Sequence, residues 1–204
     1  MIAVPQQWRW RLSAWRWRVH LWSGHPLKAL AALDGWLAGA PNPPSQGVFH
    51  AWATRAHVLG ELGRWAEACQ QLGLLVEALP DHAIHHFNWG YALQRTQAWV
   101  SAETAFRRAV QLSPRLDLAW YGLGDVLWQQ GRWDEAEQAW MRQSELQPFC
   151  PDGFARLVCL LVDQGQWTKA EAYLDRLKTF DPQRALALEP VLQAARPVPS
   201  GACT

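Results

Sequence analysis

The sequence predicts an all-α chain built from helix-turn-helix repeats, and three observations predict it. Trp65, Trp99, Trp133 and Trp167 stand 34 residues apart. Two more columns keep the same interval without exception: Ala68, Ala102, Ala136 and Ala170, then Pro80, Pro114, Pro148 and Pro182. Inside each unit the apolar residues recur at steps of three and four, the spacing that lines one face of a helix. A fixed period of this length is the signature of stacked supersecondary units that bury a core only by leaning on their neighbours.

Residues 1–48 open the chain with a Trp/Arg-rich helix and a degenerate first copy that ends in a Pro-rich linker. Trp8-Arg9-Trp10-Arg11 returns seven residues later as Trp15-Arg16-Trp17-Arg18. At 100° per residue, Trp8, Leu12, Trp15, Val19 and Trp22 share one side of a helix, and Trp10, Ala14, Trp17 and Leu21 share the opposite one. One side can pack on the repeats. The other is a second candidate interface, carried by Trp10, Arg11, Trp17 and Arg18. It could be a core helix decorated by cation–π contacts, a docking face for a partner subunit, or a peripheral membrane contact through residues 8–22. Gly24, Ala29 and Pro41 fall in the turn, Ala and Pro columns, with Pro26 in the place of tryptophan.

Residues 49–184 hold four full units, 49–82, 83–116, 117–150 and 151–184. The third is the clearest. Trp120, Leu123, Gly124 and Leu127 line one face of its first helix, and Ala136, Trp140 and Gln143 line one face of its second. Gly131 suits the break between them, and Gly63 and Gly165 occupy the same column, where Gln97 is the exception. Pro148 has no amide hydrogen and disfavours helix in the residue before it, so it closes the unit. The small Ala column lets the two helices approach. The Trp column is expected to fill the space beside it, each buried ring removing roughly 150–250 Å² from water. On that expectation Trp133→Ala costs about 3–5 kcal/mol. After Pro182, residues 185–204 are expected to form a capping helix over Ala185, Leu186, Leu188, Val191 and Leu192, followed by a loose tail. Pro190 must start, kink or interrupt that helix.

These columns resemble the tetratricopeptide repeat, and the resemblance covers residues 49–184 without a gap. It implies an all-α, right-handed superhelical solenoid with terminal capping helices, whose first helices line a concave groove for a protein or peptide. In one subgroup, Lys and Asn on those helices clamp a C-terminal carboxylate. Here the matching columns hold Ala53, Phe87, Tyr121 and Ala155, and His57, Tyr91, Asp125 and Cys159, so that ligand is not expected. The groove candidates are Phe87, Asn88, Tyr91, Tyr121, Asp125 and Trp128, aromatics that offer large contact area at low entropic cost, with Asp125 available to a partner's cation.

Composition narrows the remaining classes. The 19 basic and 18 acidic residues give a net charge of +1, distributed as +5 before Asp34 and −4 from there on. Nothing in this balance signals nucleic acid. The four cysteines form no CxxC pair, which suits idle thiols in a reducing, cytoplasmic setting. No phosphate loop, GxSxG or HExxH is present, so the chain is expected to be no enzyme and to need no cofactor. His82 and His86 would share a helical face, yet His86 falls in the packing column of Trp52, Trp120 and Phe154, so no metal is expected. The expected function is a non-catalytic scaffold or adaptor that holds a protein partner. The alternatives are a membrane tether and a docking subunit of an enzyme.

Overall fold

The computed structural model describes residues 17–40 and 44–195. Among the described residues the regular structure is α-helix. Helix α1 covers residues 17–22, and then come α2 (Pro26–Leu37), α3 (Gln46–Glu61), α4 (Trp65–Ala78), α5 (Ala83–Arg95), α6 (Trp99–Leu112), α7 (Asp117–Gln129), α8 (Trp133–Leu146), α9 (Pro151–Asp163), α10 (Trp167–Lys178) and α11 (Pro182–Ala195). Contacts divide the chain into two compact units, Met1–Leu112 and Ser113–Thr204. The division falls between α6 and α7, within the span of the four expected repeats.

One backbone device makes every hairpin. The second residue after the first helix takes a left-handed conformation, with φ of 71° at Gly24, 73° at Gly63, 61° at Gln97, 73° at Gly131 and 71° at Gly165. The next amide then bonds back to a carbonyl in the last helical turn: His25 to His20 at 2.9 Å, Arg64 to Leu59 at 2.8 Å, Ala98 to Leu93 at 2.9 Å, Arg132 to Leu127 at 3.0 Å and Gln166 to Leu161 at 2.8 Å. Such a bond satisfies a carbonyl that the helix end leaves open. Four of these acceptors, Leu59, Leu93, Leu127 and Leu161, form a fourth column that repeats every 34 residues without exception. The α1–α2 hairpin shares the turn although its tryptophan position holds Pro26.

The proline column closes the units through a second hydrogen bond. His86 Nε2 donates to the Pro80 carbonyl at 2.8 Å, and 34 residues on Trp120 Nε1 donates to the Pro114 carbonyl at 2.9 Å. A ring N–H at this column thus ties the start of a first helix to the turn that precedes it. Pro182 differs from the other members of its column, since it lies in α11 rather than in a turn.

The first unit buries Leu33, Trp36, Leu59 and Leu75, with Trp52, Trp65 and Trp89 packed around them. The second buries Phe154, Leu161, Leu174 and Leu177 beneath Ala185 and Leu192 of α11. Pro190 lies inside α11, which neither begins nor stops there. Ala68, Ala102, Ala136 and Ala170 are all buried, as close helix approach requires.

The Trp column departs from its expected burial. Trp65, Trp99 and Trp167 are half-buried, and Trp133 is 53% exposed. At Trp65 part of the cover comes from the following repeat. Tyr91 stands edge-on to Trp65 with centroids 5.5 Å apart, and Arg95 lies over the same ring at 5.1 Å. Two repeats later those positions hold Cys159 and Asp163, neither of which covers an indole face. The packing cost expected at Trp133 belongs instead to Trp140, which is 1% exposed.

Candidate functional site

In the first unit, helices α3, α4 and α5 enclose a pocket of about 320 Å³. Its apolar wall includes Ala53, Trp65 and Leu72, and its polar groups are His57, Glu61 and Asn88. Tyr91 lines it too and keeps 43% of its surface exposed. Of the three expected groove residues in this unit, Asn88 and Tyr91 therefore meet in one pocket. Phe87 is half-buried and faces the Phe106 ring at 6.1 Å.

In the second unit, Tyr121, Asp125 and Trp128 are joined by a residue that sequence reasoning missed. Arg156 of α9 donates to the Tyr121 hydroxyl at 3.3 Å and to Asp125 Oδ2 at 3.4 Å, pairs with Asp125 Oδ1 at 3.1 Å, and lies over the Trp128 ring at 5.8 Å. Burial first, and the Asp125 carboxylate second, push the Tyr121 phenol above its usual range, and the Arg156 bond pulls against that rise. The expectation that Asp125 awaits a partner's cation is corrected here: the chain's own guanidinium has taken that role. A signal was available, because Arg156 sits one helical turn before Cys159, the Asp125 position of the next repeat.

The N-terminal interface is corrected as well. Trp17, assigned to the outward side, is 3% exposed and packs in the core of the first unit, 6.1 Å from the His50 ring. Arg18 lies over it at 5.0 Å. The exposed residues belong to the opposite side: Val19 at 45% and Trp22 at 91%. Trp10 and Arg11 lie outside the described residues.

The remaining chemistry-bearing groups are quiet. His82 stacks on His85 at 4.4 Å, while His86 turns its Nε2 to Pro80. Burial foremost, then His82 and His86, pull the His85 pKa below its usual value. Burial pushes the Cys69 and Cys159 thiols up, with Asp163 adding to the effect at Cys159. Among the described residues no group of three metal-capable side chains exists, and no helix is long and apolar enough to cross a membrane.

Known proteins with this arrangement are repeat proteins. A profile of the tetratricopeptide repeat matches residues 54–117 and 101–152. No curated protein matches the sequence. Among solved structures, MamA 41-end from Desulfovibrio magneticus RS-1 is 17% identical with a TM-score of 0.77, over 85% of this chain and 95% of that one. PilF of Pseudomonas aeruginosa is 19% identical with a TM-score of 0.74, over 94% and 86%. YrrB, described as a tetratricopeptide repeat protein with an unusual peptide-binding site, is 20% identical with a TM-score of 0.69, over 85% and 88%. At these identities the likeness carries the fold, an all-α solenoid of helix-turn-helix repeats. With four columns at one interval, one turn repeated at each hairpin and a matching profile, residues 54–152 of this chain are tetratricopeptide repeats.

Proposed function

We propose that this chain is a non-enzymatic scaffold that holds a protein or peptide partner against its first helices. Its main contact in the first unit is the pocket beside Asn88 and Tyr91. The family is in general one of protein- and peptide-binding scaffolds, and the observation that supports this site is the pocket itself. It has an apolar wall, three polar groups to fix orientation, and an aromatic ring at its rim. Helices α3, α4 and α5 supply it ready-made, so little ordering entropy is lost on binding. A peptide-display selection on the immobilised chain tests the reading, repeated on the double variant Asn88→Ala, Tyr91→Ala. Sequences enriched on the wild type should vanish from the variant while its circular dichroism is retained. Equal enrichment on both proteins removes this pocket from the binding surface.

A second reading, peripheral membrane contact near the N-terminus, is favoured by Trp22 and Val19, which present apolar surface beside Arg18. Full-length chain should then float with anionic vesicles at low salt and lose that association as salt rises, since the attraction is electrostatic. Chain that stays at the bottom of the gradient with anionic vesicles rules this contact out.

A further inference from the structure

We propose that a second pocket, between the α7–α8 turn and α9, takes an arginine side chain of the bound partner, with its guanidinium on the Trp133 ring and paired to Asp163. This deepens the scaffold reading and rests on it, because it assigns a chemistry to the partner.

The pocket measures about 440 Å³, and Trp128, Trp133, Leu160 and Asp163 line it. Its meaning comes from comparison with the equivalent position in the first unit. There Trp65 is covered from inside the chain, by Tyr91 edge-on and by the Arg95 guanidinium 5.1 Å above the ring. The residues two repeats after these are Trp133, Cys159 and Asp163. The indole is kept, the aromatic cover is reduced to a thiol, and the cation is exchanged for a carboxylate. The indole is open as well: Trp133 is 53% exposed, and Trp128 beside it is 37% exposed. Where the first unit provides its own arginine, the second provides an open ring and a negative charge.

Those two features are complementary to one chemical group. A cation over an indole face gains from the ring quadrupole, and a guanidinium does so while offering two parallel N–H donors to a carboxylate. Asp163 is exposed and has no ion-pair partner among the described residues. Its carboxylate is therefore free to receive such a fork. An ammonium could use the charge but not the planar stacking, so arginine is the committed occupant.

The test uses the full chain and an arginine–glycine repeat peptide. Its controls are the same peptide with citrulline, which keeps the shape and loses the charge, and the variants Asp163→Asn and Asp163→Arg. Nuclear magnetic resonance of the indole N–H groups, with the Trp133 signal assigned from Trp133→Phe, reports where the peptide sits. The arginine peptide should shift the Trp133 signal. Citrulline, or Asp163→Asn, should weaken binding about tenfold, the loss of one charge-assisted contact. Asp163→Arg, which supplies an in-chain cation as Arg95 does, should abolish it. Equal affinity for citrulline, undiminished binding by Asp163→Asn, or an unmoved Trp133 signal overturns the proposal. If the Asn88, Tyr91 selection still holds in that event, the scaffold reading survives and only this site is wrong. If arginine binds here while that selection fails, the scaffold has its working surface in the second unit.

Discussion

Gln97 is the one member of its column that pays a steric penalty, holding φ of 61° where the other hairpins place glycine. A side chain in the left-handed region costs on the order of 1–2 kcal/mol, and glycine returns part of that through its freer unfolded state. Gln97→Gly should therefore stabilise the chain by about 1 kcal/mol, read as a raised urea midpoint at unchanged slope. A lowered midpoint would mean that the Gln97 side chain carries a contact outweighing the strain. The gap in the glycine column was legible in the sequence. The burial of single tryptophans was not. Trp133 and Trp65 look identical by column, but Gly60 lies against the Trp65 ring where two repeats later Trp128 stands beside Trp133, and Cys159 and Asp163 replace Tyr91 and Arg95. Trp17 was misplaced for a related reason. A helix with tryptophan on both sides does not announce which side faces the core, and contact with α3 decided it.

Between elements, the two helices of a hairpin divide the available volume. A methyl group built on Gly90 would lie 2.9 Å from the Phe106 ring, and one built on Gly124 would fall inside contact distance of the Trp140 ring. The corresponding positions in the flanking repeats hold Ala56 with Leu72 and Val158 with Leu174, so a larger residue on the first helix accompanies a smaller one on the second. Gly124→Ala gains roughly 1 kcal/mol in helix propensity and incurs about 1–3 kcal/mol of overpacking against a ring that has nowhere to go. A net loss of about 1 kcal/mol in urea unfolding is expected. A stabilised variant would show that Trp140 can move aside. The same logic explains α11. Proline inside a helix removes a hydrogen bond at a cost of about 3 kcal/mol, yet Ala185, Leu188 and Leu192 pack on the core beneath, and that burial keeps the helix whole through Pro190.

For the whole molecule, repetition makes the architecture legible and the site illegible. Within each compact unit the hairpins lean on their sequence neighbours, and the period of the repeats can be counted from tryptophan, alanine and proline. Function must reside in how individual copies deviate. In the first unit the deviation is a pocket rimmed by Asn88 and Tyr91, and in the second it is Arg156 holding Tyr121 and Asp125, beside an uncovered Trp133. The charge distribution, +5 before Asp34 and −4 from Asp34 on, is likewise a property of the sequence, and it says which end a negatively charged surface would meet first.

By itself the sequence determined the helical class, the repeat length, the place of each turn and the kind of repeat, because these depend on local spacing and on what glycine and proline permit the backbone. Tertiary structure alone decided which tryptophans are buried, that Asp125 is already paired within the chain, that α11 runs through Pro190, and which side of the first helix faces solvent. Each of those outcomes depends on side chains about one repeat away or further. Their approach is fixed by packing between helices, which no local pattern encodes.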